Sequence, residues 1–98
     1  SPVPRFPWVD RDLALVVDEE LEIGKLVDVI RQKGGKLLTN VEIFDIYRGK
    51  QIPPEKKSVA FRLIFQSLEG TLTEETVSKS MAKILNAVSE TYDAKLRA

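Results

Sequence analysis

The sequence contains no cysteine and no histidine. The first absence excludes disulfides, thiolate catalysis and cysteine metal sites. The second removes the general base that most often works near neutral pH. Net charge is missing too, because 15 basic residues balance 15 acidic ones. Any contact with nucleic acid must therefore come from a local patch, not from a strongly positive overall field. No apolar run approaches the roughly 20 residues that span a bilayer. The N-terminus lacks the basic-then-apolar order of a signal peptide, so a cytoplasmic protein is expected. Nor is there a phosphate-binding glycine loop or a nucleophile–base pair, which makes an independent enzyme the least supported class.

What is present suits one small domain: 98 residues, 43% of them apolar, enough for a single core. Three prolines fall within the first seven residues. Each fixes its own φ and biases its predecessor away from helix, so residues 1–10 read as an extended arm or linker. Phe6 and Trp8 are its candidate anchors, and residues 11–98 are the folded domain.

Asp12–Asp18 is a short, valine-rich apolar run bounded by charges and reads as a buried strand. Ile23, Leu26, Val27 and Ile30 recur at helical spacing, and Gly34-Gly35 supplies the stop. Two longer strands follow, over Leu37–Tyr47 and Lys57–Gln66. The connection between them holds Pro53-Pro54 and is too short for a helix, so the pair should be an antiparallel hairpin. Thr73-Glu74-Glu75 opens a second helix with a capping hydroxyl and acids at the positive end of the dipole. Val77, Met81, Ile84, Leu85 and Val88 form its buried stripe. Ala94–Arg97 reads as a short last strand. The order β-α-β-β-α-β predicts an α+β fold, a four-stranded antiparallel sheet with two helices on one face. The other face is left open.

Alternation places Val59, Phe61, Leu63 and Phe65 toward the helices and Ser58, Ala60, Arg62, Ile64 and Gln66 on the open face. The preceding strand does not alternate cleanly. Val41, Ile43, Asp45 and Tyr47 form one set and Glu42, Phe44, Ile46 and Arg48 the other, each mixing apolar with charged residues. Asp45 and Tyr47 are assigned here to the open face near the hairpin end; a one-residue bulge would reverse that assignment. The same element order occurs in RNA-recognition motifs, but Ser58, Val59 and Ile64 replace the glycine and aromatics their third strand needs. Asp18-Glu19-Glu20 lacks the alternating spacing of a calcium loop.

Four segments in order carry a stronger likeness: Arg11–Val17, Phe44-Asp45-Ile46-Tyr47-Arg48-Gly49, Lys57-Ser58-Val59-Ala60-Phe61 and Thr71–Glu75. Together they closely resemble the ferredoxin-fold anticodon-binding domains of bacterial phenylalanyl-tRNA synthetase β subunits, over nearly the whole chain. The resemblance implies a ferredoxin-like fold and a non-catalytic role within a ligase. The implied partners are the anticodon stem-loop of phenylalanine tRNA, the remaining β-subunit domains and the α subunit, with no DNA and no membrane. ATP and magnesium would serve the parent enzyme elsewhere, with no cofactor in this domain. Asp45 and Tyr47 match family positions facing the first anticodon base, and Ser58 matches a position near them. Tyr47 can stack on a purine, while the Asp45 carboxylate can accept from a guanine N1–H and amine. Arg48, Lys50, Lys57 and Arg62 are candidate phosphate or sugar contacts from their charge and position. The sequence departs from the family at Gly70, where a basic residue is common, and at Glu55-Lys56, where an acidic-glycine pair is common. The competing class is a protein-docking domain whose open sheet face packs on a neighbouring domain or subunit.

Overall fold

The computed structural model describes residues 7–97. Four strands and two helices follow the expected order: β1 (Val9–Asp18), α1 (Ile23–Gly34), β2 (Leu38–Tyr47), β3 (Lys56–Phe65), α2 (Glu74–Tyr92) and β4 (Lys95–Leu96). A single 3₁₀ turn, Gly35–Leu37, joins α1 to β2. The sheet order is β2-β3-β1-β4, with every neighbouring pair antiparallel. β1 starts within the stretch expected to be an arm, since Val9 and Asp10 pair with Phe65 and Ile64. Phe6 lies outside the described residues, and Trp8 is 63% exposed, so its ring does not pin the chain to this domain.

Each helix ends where local chemistry dictates. α1 buries Leu26 and Ile30 and stops at Gly35, whose φ of 70° is a conformation that glycine adopts without strain. For α2, the Thr73 hydroxyl accepts from the Thr76 N–H at 3.1 Å, with Glu74 and Glu75 in the first turn. That answers one of the four unpaired N–H groups at a helix start. Val77, Ile84 and Val88 are its fully buried stripe.

The core lies between the helices and one sheet face. Leu13 opposes Phe61 and Leu15 opposes Val59, with Leu63 and Phe65 continuing the inward row. Lys57 takes the next inward position, opposite Val17, and is only 6% exposed. A buried ammonium requires partners. Its Nζ donates to the Glu19 carbonyl at 2.8 Å and lies 3.7 Å from the Glu19 carboxylate.

β2 explains its own mixed pattern. The ladder with β3 shifts register twice, between Leu38 and Asn40 and between Ile43 and Asp45. At the first shift the Thr39 hydroxyl donates to the Ile64 carbonyl at 3.1 Å, supplementing the interrupted ladder. At the second shift Phe44 is the extra residue. Ile43 opposes inward Phe61, while Asp45 and Tyr47 oppose outward Ala60 and Ser58. The bulge does occur, yet Asp45 and Tyr47 face outward as assigned; the residues displaced from their expected side are Val41, Glu42, Ile43 and Phe44. Without Phe44, residues 41–47 would alternate inward and outward without a break.

Candidate nucleic-acid interface

Three of the rows of directly opposed residues that cross the open face form the site. From the hairpin end they are Tyr47–Ser58–Val16, Asp45–Ala60–Ala14 and Glu42–Arg62–Asp12. Tyr47, Asp45 and Ser58 are thus brought together by adjacent rows. The alanines of the middle row leave a low floor beside the Asp45 carboxylate.

Tyr47 does not stand alone. Arg97, one residue beyond β4, is tied to β1 by its N–H, which donates to the Ala14 carbonyl at 2.9 Å. Its guanidinium carbon lies 4.6 Å from the Tyr47 ring centroid, and Nη2 donates to Gln51 Oε1 at 2.7 Å. Two strands separate β4 from β2, a Cα span of about 14 Å at ordinary strand spacing. The two side chains therefore meet above the sheet, and Ser58 keeps only 2% of its surface exposed. The hairpin loop closes in from the side. A β-carbon at Gly49 would lie 2.5 Å from Tyr47 Oη, so the bare glycine makes room for the ring. Ile52 is buried within that loop, and its N–H donates to the Gly49 carbonyl at 3.3 Å. Glu55 in the same loop holds a left-handed φ of 64°.

The cations are mostly engaged. Arg62 forks onto Asp12, with Nε and Nη2 donating to the two carboxylate oxygens at 2.9 and 3.3 Å. That hydrogen bonding holds the Asp12 carboxyl below its ordinary range and raises Arg62. Arg62 also lies over the ring of Phe44, 5.3 Å from its centroid. Arg48 forks onto Glu19, lowering that carboxyl, and Lys56 donates to Asp18 at 2.5 Å. The acidic run 18–20 thus spends two of its charges on ion pairs. Lys50 has no acidic partner among the described residues. Lys57, on the helix side, is turned away from Tyr47 and Asp45. Phe44, Gly49, Gln51 and Arg97 escaped sequence reasoning. The Gly49 signal was legible in Tyr47-Arg48-Gly49, but nothing local announces that Arg97 reaches Tyr47.

The pattern of the ferredoxin-fold anticodon binding domain matches residues 4–97. The chain belongs to this family. Among similar proteins, the phenylalanine–tRNA ligase beta subunit of Bacillus subtilis (strain 168) is 48% identical over 95 residues, which is 97% of this chain. The beta subunits of Clostridium tetani and Listeria monocytogenes serotype 4b are each 44% identical, over 97% and 98% of it. This anticodon binding domain spans 12% of the length of those relatives. Its four-stranded antiparallel sheet with two helices is the ferredoxin-like arrangement that the family's description names. Among the described residues, no helix is long and apolar enough to cross a membrane, and no three acidic side chains converge as a metal site.

Proposed function

We propose that this domain is the non-catalytic tRNA-reading part of a phenylalanine–tRNA ligase beta subunit, and that it recognises the anticodon stem-loop of phenylalanine tRNA. The observation that supports this reading most is the grouping of Tyr47, Asp45 and Ser58 on adjacent rows of the open face. An aromatic ring beside a carboxylate suits an unstacked purine, offering a stacking surface and acceptors for its edge, while Ser58, 2% exposed, supports the site from beneath. Arg97 holds the ring in place, while Lys50 and Arg48 serve the RNA backbone; Arg62, forked onto Asp12, lies over the Phe44 ring. Lys57 takes part through Glu19, whose carboxylate also holds Arg48. The catalytic centre, with ATP, magnesium and the α subunit, belongs to other parts of the ligase.

The docking alternative gains little from the open face. The exposed aliphatics Ile43 and Ile46 lie on the helix side of β2, opposite inward Phe61 and Val59. Titration of the 98-residue chain with phenylalanine tRNA, and with a variant changed at the first anticodon base, separates the two. Tyr47→Ala should weaken binding by about 1–3 kcal/mol, the usual worth of base–aromatic stacking, with the fold intact. Asp45→Ala should erase the preference between the two RNAs. Equal affinity for both RNAs in the wild type and both variants would refute anticodon reading.

A further inference from the structure

The open face carries a second aromatic besides Tyr47. Phe44 is the inserted residue of the β2 bulge, and the strand would alternate without interruption if it were absent. Bulges re-aim side chains and concentrate beside binding sites. This one turns a phenylalanine outward, where it remains 52% exposed between the Glu42–Arg62 and Asp45–Ala60 pairs. About half of this large apolar side chain therefore stays in water among charged neighbours. The guanidinium of Arg62, itself forked onto Asp12, lies over the ring.

We infer that Phe44, backed by Arg62, is a second base-stacking platform on the same face as Tyr47. The inference rests on the proposed RNA-reading function and adds a subsite to it. Two arginine-backed rings then lie along one strand, Phe44 with Arg62 and Tyr47 with Arg97. They are three residues apart, so at most about 10 Å along the strand. Stacked bases rise about 3.4 Å each, so the rings serve different nucleotides of one loop, with Asp45 between them. Phe44 offers a π-face and no hydrogen-bonding group. It should therefore accept any base, adding affinity without specificity, whereas the Tyr47–Asp45 position discriminates. Arg62 acts here through its plane, because its charge is already answered by Asp12.

The test uses the 98-residue chain and the anticodon stem-loop of phenylalanine tRNA, with 2-aminopurine placed at each loop position in turn. Binding and fluorescence quenching are measured for wild type, Phe44→Ala, Phe44→Trp, deletion of Phe44, and Tyr47→Ala. Deletion of Phe44 preserves every other inward and outward assignment, so it keeps the test sharp should the alanine variant fold poorly. Phe44→Ala and the deletion should weaken binding roughly 5- to 150-fold, the range of one lost base stack. Phe44→Trp should stay within about threefold of wild type. Quenching should vanish at a loop position different from the one that Tyr47→Ala silences. If both Phe44 variants bind within about twofold of wild type while Tyr47→Ala still loses affinity, the platform is refuted and the anticodon reading stands. Affinity lost without any change in quenching would also overturn it, assigning Phe44 to support of Arg62 or Asp45. If the wild-type chain does not bind, or Tyr47→Ala is also silent, the proposed function fails and the platform fails with it.

Discussion

Lys57 and Ser58 are neighbours in the chain and occupy opposite worlds in the fold. The lysine points among the helices and ends on the Glu19 carbonyl, while the serine lies under Tyr47 on the open face. A backbone of period two separates them whatever their chemistry. Charge at a plausible position is thus weaker evidence for RNA contact than the face on which it falls. Gly49 makes the same point without charge. Because a β-carbon there would lie 2.5 Å from Tyr47 Oη and 2.8 Å from its ring carbon, Gly49→Ala must push the ring aside. The loop itself makes no demand for a positive φ at this residue. Gly49→Ala should therefore lower tRNA affinity severalfold while the thermal midpoint changes little. A thermal melt and a tRNA titration on the same sample check both halves.

At the scale of elements, β2 and α2 show two ways in which a segment is specified. α2 is specified locally. Thr73 caps it, acids fill its first turn, and its apolar residues keep one period from Val77 to Val88. Thr73→Ala should cost about 1 kcal/mol, read as a lower urea midpoint with unchanged slope. No loss would mean that the neighbouring Thr76 hydroxyl, 2.8 Å from that of Thr73, takes over the cap. β2 is specified by its partner. Its apolar and charged residues satisfy neither alternation, and only pairing with β3 shows where the two extra residues enter. An edge strand held on one side tolerates such insertions, because the far side has no ladder to break.

At the scale of the whole molecule, the open face is balanced by ion pairs, not by a basic field. Asp12 with Arg62, Glu19 with Arg48 and Asp18 with Lys56 each tie segments distant in sequence. In the folded state the carboxyls of Asp12 and Glu19 lie below their ordinary values, through hydrogen bonds from Arg62 and Arg48. A depressed folded value means stability that is fully present above the unfolded value and is lost as pH falls through the folded one. Stability should therefore hold near neutrality and decline below about pH 4. Each pair is solvent-exposed, so each contribution is small. Urea midpoints measured from neutral to strongly acid pH should fall less steeply for Asp12→Asn than for wild type. An identical slope would show that the pair contributes nothing to the acid limb.

The sequence by itself determined the element order, both helix faces, the inward row of β3 and the hairpin that carries Asp45, Tyr47 and Ser58. These follow from short-range rules: periodicity, caps, and prolines that cannot sit in a ladder. It also carried the family resemblance, because that lies in ordered local motifs. Tertiary structure decided three things that no local rule reaches. It placed the bulge at Phe44, since register is a property of two strands. It gave inward Lys57 its partner, the Glu19 carbonyl, since alternation sets the face of a residue but not what it meets there. It brought Arg97 across the sheet to Tyr47, since a contact separated by 50 residues exists only once β4 has paired with β1.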